Sequence, residues 1–378
     1  MSASVSKTPQ YVWPTIVFIS TATLVAFIGV PLYVMRYGIA PSEIFLFLFF
    51  TLATGMSITV GYHRLYAHST FKTIPVVEFL ILFFGAASFE QTALVWSTLH
   101  RDHHRYVDSD IDPYSIKKGF WHAHFGWIFF WKHESTFENA KDLMKNKMLM
   151  NQHKYYLLWG AFAGIIFPLL LGWATGHLLG AFIFAVCARL TVVYQSTFCI
   201  NSVCHMIGTS TYDIYSTAKD HWFVALLTNG EGYHNFHHRF PTDYRNGVRW
   251  YHWDPSKWMI ALLAKLGLAS NLQVVSQFAI IEARLAAEKQ RIQDKFLQVH
   301  DQTHHYAKMK EALHVQYDHL MKNLKEWEAS AKVYRIQISK EAMHRMEEAR
   351  TDFQRARQQW NAHSRVWMVQ LRPQPISS

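Results

Sequence analysis

Residues 12 to 35, VWPTIVFISTATLVAFIGVPLYVM, continue without a charged side chain for long enough to cross a bilayer. About 20 apolar residues span the roughly 30 Å hydrocarbon core as a helix, and in lipid only helices or closed barrels satisfy every backbone polar group. Three further stretches are long and largely apolar: 42 to 60 (SEIFLFLFFTLATGMSITV), 156 to 174 (YLLWGAFAGIIFPLLLGWA) and 178 to 200 (LLGAFIFAVCARLTVVYQSTFCI). Four such segments predict an all-α integral membrane protein. The first is too long for a signal-peptide core and lacks a basic leader, so it is read as retained. The fourth holds Arg189 and Gln195, which at membrane depth should face protein or a cavity. A fifth apolar stretch, 75 to 96, is long enough to span but contains Glu78, Glu90 and Gln91, which are costly in lipid.

Histidine is the other dominant feature, with 23 copies against 27 Asp and Glu combined. Cys187, Cys199 and Cys204 form no CxxC pair, which excludes a disulfide framework and the usual structural zinc site. The imidazoles gather in HRLYAH (His63, His68), HRDHH (His100, His103, His104), NSVCH (Asn201, His205) and HNFHH (His234, His237, His238), with a looser WHAHFGW (His122, His124). Spacing of i, i+3, i+4 in HRDHH and HNFHH puts three rings on one helix face, as two to three ligands of one metal site require. Asn201 and His205 also share a face. His63 and His68 do not line up on a regular helix, so one is expected past a helix end. Imidazole suits zinc, copper, iron and nickel alike, and nine histidines exceed one tetrahedral ion, which favours two metals.

The motifs decide the fifth stretch. If 75 to 96 crossed the membrane, HRLYAH and HRDHH would lie on opposite faces and share no metal centre, so it is expected to be interfacial or re-entrant. With four crossings, both termini and every motif fall on one face. That face carries most of the Lys and Arg, which marks it as cytoplasmic. The formal charge of +10 suits anionic headgroups or a phosphorylated ligand, and no aromatic-interleaved basic patch points to nucleic acid.

HRLYAH, HRDHH, NSVCH and GEGYHNFHHRFPTDYR, in this order, together with DPYSIKKGFWHAHFGW (112 to 127) and RWYHWDPSKW (249 to 258), resemble membrane acyl desaturases of the delta-9, acyl-CoA type. The likeness covers about residues 42 to 268. It implies a cytosolic helical cap over four transmembrane helices, holding a di-iron centre. It also implies that the nine histidines His63, His68, His100, His103, His104, His205, His234, His237 and His238 are metal ligands, with Asn201 reaching an iron through water and His124 in a supporting position. The implied activity is O2-dependent insertion of a cis double bond into a saturated C16–C18 acyl chain. Trp96 and Thr197 match positions that line the bend of the acyl tunnel, and Lys117 and Lys118 match a basic pair suited to phosphates. Glu90, with Gln91 beside it, stands where the family often has Gln, and Thr98-Leu99 replaces an Arg-Asp pair that helps hold the CoA head. Acyl-CoA leads as carrier on the resemblance as a whole, with acyl-ACP or phospholipid behind it.

No haem-binding HPGG, iron-sulfur cysteine cluster or GxGxxG is visible, so electrons are expected from an external cytochrome b5 or ferredoxin system. A bacterial inner membrane and the endoplasmic reticulum both fit. A membrane di-iron hydroxylase would share the clusters and spans, and a metal transporter is the non-enzyme alternative, although it should carry His and acidic residues inside the spans. Beyond the desaturase domain (1–268), residues 269 to 378 contain neither Gly nor Pro until Pro373. Tyr306, Met309, Leu313, Tyr317, Leu320, Leu324, Trp327, Ala331, Tyr334 and Ile338 recur at three or four residues, continued loosely to Trp360, which predicts a coiled coil or helical hairpin suited to self-association.

Overall fold

The computed structural model describes residues 10–130, 136–298 and 304–371. Four helices are long and apolar enough to cross a membrane: Trp13–Tyr37, Pro41–Ala67, Tyr156–Ala174 and Leu178–His205. Of their apolar windows 17%, 44%, 28% and 67% respectively is buried, so the second and fourth are the inner helices. These two also run past the apolar stretches expected at 42–60 and 178–200. Their added polar turns carry His63 and His205 out beyond the apolar segment, where imidazoles can gather without lipid contact.

The stretch 75 to 96 is not one element. Pro75–Ala86 is a helix of 12 residues, about 18 Å long and too short to cross. A loop follows in which Phe89 and Gln91 take left-handed φ values of 56° and 80°. Thr92 then caps the helix Ala93–Tyr106, its hydroxyl accepting the Val95 N–H at 3.2 Å. Splitting the segment leaves Glu90 and Gln91 in the loop. That loop is held from the spans: Arg189 is fully buried and donates to the carbonyls of Ala87, Gly164 and Ala185, the Tyr194 hydroxyl donates to Phe89 O, and the Gln91 N–H donates to the Tyr156 hydroxyl. Arg189 thus faces protein, with its donors used on backbone oxygens of the loop and of two spans.

Close approach of the short helix to the second span depends on glycine. A Cβ at Gly85 would lie 2.4 Å from the Tyr62 ring, and one at Gly61 would lie 2.1 Å from Ile81. Tyr62 is itself fully buried, and its hydroxyl accepts from Gln152. The rest of this unit is a cap of short helices and loops. A two-residue antiparallel pairing, Lys72 with Ser270 and Thr73 with Ala269, ties the segment after the second span to the segment after the helix Pro255–Lys265.

The chain divides into two compact units, Met1–Ser210 with Ser216–Val274, and Thr211–Tyr215 with Val275–Ser378. In the second, helices Gln277–Gln298, His304–Gln337 and Lys340–Gln370 bury Phe278, Leu285, Leu313, Leu320, Leu324, Phe353, Ala356 and Trp360 in one core. The apolar seam read from 306 onward therefore closes within the chain. It ends before Ile338, which is exposed at φ 46°, and Ser339 caps the returning helix by accepting from Ala342 N at 3.1 Å. The turn needs no Gly or Pro because one left-handed residue followed by a serine cap reverses the backbone.

Gly85→Ala should press its methyl into the fully packed Tyr62 ring and destabilise the membrane unit by about 1–3 kcal/mol. A lowered thermal midpoint in detergent, restored at least in part by Tyr62→Leu, is the expected result.

Candidate metal centre

Nine histidines converge in two groups. His63, His68, His100, His104 and His237 form one; His103, His205, His234 and His238 form the other, and within each group one ring nitrogen per residue lies within 4.8 Å of all the others. All nine residues expected from the sequence are therefore brought together. Asn201 lines a cavity that also touches His63, His100 and His234.

Local winding explains how each pair arrives. Ser57–Ala67 is wound more widely than an α-helix, and His68 N–H donates to His63 O at 3.1 Å, five residues back. The spacing that an α-helix could not align thus brings both rings to one side, edge to face with centroids 4.9 Å apart. HRDHH and HNFHH each give two rings to one group and the third to the other. His100 and His104 join the first group while His103 joins the second; His234 and His238 join the second while His237 joins the first. At about 100° per residue, i and i+4 diverge by about 40° while i+3 falls about 60° to the other side. A helix lying between two sites therefore feeds its i, i+4 pair to one and its i+3 residue to the other.

Behind the rings stand polar partners that the motif reading did not single out. His63 Nδ1 is 2.8 Å from Glu231 Oε2, His103 Nδ1 is 2.9 Å from Asp112 Oδ1, His205 Nδ1 is 2.7 Å from the Thr217 hydroxyl, and His100 Nδ1 is 3.2 Å from the Tyr114 hydroxyl. Glu231 and Asp112 sit inside GEGYHNFHH and DPYSIKK, so a carboxylate beside a histidine box was the available signal. A carboxylate on Nδ1 keeps the proton there and leaves Nε2 to point into the group. Glu231 also takes Arg64, whose NH2 group donates to Glu231 Oε1 and to Asp254 Oδ1, each at 2.9 Å. Burial alone would raise the Glu231 carboxyl, but His63 and Arg64 overcome it and hold it below its ordinary value.

The donor set fits metal. Burial, reinforced by neighbouring imidazoles, pushes His68, His100, His104, His234, His237 and His238 well below the ordinary histidine range, so these rings are neutral and present lone pairs. Nε2 atoms of His63 and His237, of His68 and His100, and of His205 and His234 lie 2.9–3.0 Å apart. Nε2 of His103 is buried without a hydrogen-bond partner. Inward nitrogens crowded this way have unmet coordination capacity that a cation shared within each group would satisfy.

A cavity of about 730 Å³ runs up to these groups. Its walls include Ile19 of the first span, Leu52 and Ile58 of the second and Val193 of the fourth, and it touches His63, His100 and His234. Glu90, Gln91, Trp96, Thr197 and Asn201 all line it. Glu90 accepts from the Thr197 hydroxyl at 2.9 Å and from Trp96 Nε1 at 3.3 Å, so the three residues form one hydrogen-bonded polar cluster on the wall of a largely apolar space. Burial, only partly offset by these two hydrogen bonds, pushes the Glu90 carboxyl up to about 7. Lys117 and Lys118 do not line the cavity; both are exposed, with the Lys118 ammonium donating to Asp112 O at 3.0 Å. His124 spans Ser202 and Gln195 at 2.8 and 3.0 Å, and His122 lies 3.3 Å from Pro113 O, both outside the two groups.

Because Glu90 binds its proton more tightly folded than its ordinary value of 4.5, the stability it contributes is fully present below that value and is lost as pH rises through about 7. Glu90→Gln, which cannot ionise, should match wild type in thermal midpoint near pH 4.5 and exceed it near pH 8. A gap that stayed constant with pH would contradict a buried, proton-holding carboxyl.

Residues 42–269 match the family model described as fatty acid desaturase. A probable acyl-CoA desaturase of Schizosaccharomyces pombe is 40% identical over 246 residues, 64% of this chain and 51% of that protein. Stearoyl-CoA desaturase 4 of Mus musculus is 32% identical over 290 residues, 73% of this chain and 79% of that protein, and the sn-1 stearoyl-lipid 9-desaturase of Anabaena variabilis is 30% identical over 282 residues, 73% and 99%. The chain spans about half the length of the yeast relatives it matches.

Proposed function

The chain belongs to the fatty acid desaturase family, and from that premise we propose that it is an oxygen-dependent acyl-CoA desaturase that places a cis double bond, at the delta-9 position, in a saturated C16–C18 chain. The observation that carries this reading is the cavity: its volume suits a lipid-sized ligand, and its walls reach both histidine groups. Relatives named for acyl-CoA and stearoyl-CoA support the carrier.

Two iron ions are the proposed cofactors, one held by His63, His68, His100, His104 and His237, the other by His103, His205, His234 and His238, with Asn201 adjoining through water. When bound, they supply the O2-dependent redox chemistry that an unactivated methylene requires. The reaction consumes O2, two electrons and two protons, removes one hydrogen from each of two neighbouring carbons, and releases two waters. The chain's own residues do the rest. Neutral imidazoles present Nε2 inward, and Glu231 and Asp112 keep the Nδ1 protons of His63 and His103 in place. Apolar walls from the first, second and fourth spans exclude water and align a featureless chain beside the groups. The hydrogen-bonded Glu90, Trp96 and Thr197 line the cavity where the chain is to bend.

The two electrons are proposed to come from an external donor of cytochrome b5 or ferredoxin type, drawn by the excess of Lys and Arg. Both termini and the metal centre are assigned to the cytoplasmic face and residues 1–268 to the desaturase domain, while the seam of the extension at 269–378, expected to serve self-association, is taken up in its own core. A lipid-linked substrate is the second reading: the Anabaena relative carries that name, and Thr98-Leu99 stands where an Arg-Asp pair would help grip CoA.

Expression in a host with a compatible reductase should yield monounsaturated fatty acids with the bond at carbon 9, and purified protein should convert stearoyl-CoA but not intact phospholipid. Hydroxylated products, or no product despite bound iron, would overturn the reading. His237→Ala should lose metal and lower activity by more than about 100-fold, beyond the loss typical of an outer partner, with helical content unchanged.

A further inference from the structure

We propose that Asp108 is a positioning residue for the four-histidine group, acting through the Thr217 hydroxyl to hold the His205 proton on Nδ1 and free Nε2 for metal. The proposal rests on the metal-centre reading above and adds to it a residue 97 positions before His205 in the chain, so the two are joined only by the fold.

Three contacts form the relay. Asp108 Oδ1 accepts from the Thr217 hydroxyl at 2.6 Å, Asp108 Oδ2 accepts from the Thr217 N–H at 2.8 Å, and the Thr217 oxygen lies 2.7 Å from His205 Nδ1. A hydroxyl has one proton to give. An ionised Asp108 only accepts, so it takes that proton, and the Thr217 oxygen is left to accept from His205. Nδ1 must then carry the hydrogen, and Nε2, which faces His234 Nε2 at 3.0 Å, keeps its lone pair for the centre of the group. Direction along the relay is therefore set by the charge at its far end.

Asp108 is built for this task at some cost. Its backbone is left-handed, φ 64°, a conformation that Asp tolerates better than most residues. Its N–H donates to Asp112 Oδ2 at 3.1 Å, and the other oxygen of Asp112 lies 2.9 Å from His103 Nδ1. One turn thus reaches the rear nitrogens of two ligands that arrive on different helices, His103 on Ala93–Tyr106 and His205 at the end of the fourth span. Among the described residues no side-chain hydrogen bond joins Asp108 to the five-histidine group, so the two groups should respond differently when the relay is broken.

Co²⁺ titration of the metal-free, full-length protein in detergent, followed by visible absorption and elemental analysis, tests this. Wild type should take up two ions per chain. Asp108→Asn, whose amide can donate to Thr217 and reverse the relay, and Thr217→Val, which removes only the hydroxyl, should each weaken one site by about 10- to 100-fold and leave the other unchanged. His205→Ala should impair that same site, while Thr217→Ser should retain both. Wild-type affinity at both sites in Thr217→Val or Asp108→Asn would overturn the proposal. So would Thr217→Ser failing like Thr217→Val, or both sites weakening together with a lower unfolding temperature of the metal-free protein. A wild-type chain that binds fewer than two ions would sink the metal-centre reading itself.

Discussion

Arg64 buried between Glu231 and Asp254 is the contact on which the rest of the cap depends. It lies on the second span one residue after His63, and its partners lie more than 160 residues later in the chain. Asp254 simultaneously accepts the N–H groups of Asn246 and Gly247 and caps the helix Pro255–Lys265 by accepting Lys257 N–H. Glu231 turns its second oxygen to His63. A buried charge cluster of this kind gains little net stability against an apolar replacement, yet losing one partner costs about 3–5 kcal/mol because the others are left uncompensated. Its value here is register: it fixes the first histidine motif against the last one.

That register makes the burial of nine imidazoles tolerable. Each ring must leave water, which favours the neutral form, and each then needs its remaining proton accepted on one nitrogen so that the other can face the group. For His63, His103 and His205, acidic or hydroxyl groups stand behind Nδ1. Metal binding and folding are coupled in such an arrangement, because a preformed neutral donor set has already met the cost of deprotonation and ordering. The same logic extends to the cavity. A loop with two left-handed residues, strapped by Arg189, Tyr194 and Tyr156, sets Glu90 against Trp96 and Thr197, so one polar cluster is held on the wall of an apolar space.

Sequence by itself determined the class of fold and the residues that could meet. Uninterrupted apolarity over 20 residues can be buried only as a spanning helix, and an even number of such helices returns the histidine motifs to one face. Both statements depend on local composition and chain length, which are readable without coordinates. The seam from Met309 to Ala331 was legible for the same reason, since its spacing of three and four is a property of one helix.

What only the tertiary structure decided is how the rings divide and what stands behind them. HRDHH and HNFHH look like one-face triplets in sequence, but each helix lies between two groups, and an angular difference that is trivial on an isolated helix becomes a choice of site. The wide winding at Ser57–Ala67, which brings His68 beside His63, leaves no mark on apolar periodicity. Glu231, Asp112, Asp108 and Thr217 are ordinary polar residues by composition. They acquire a role only because folding removes water from around the imidazoles, so that a hydrogen bond to a ring nitrogen must be found within the protein.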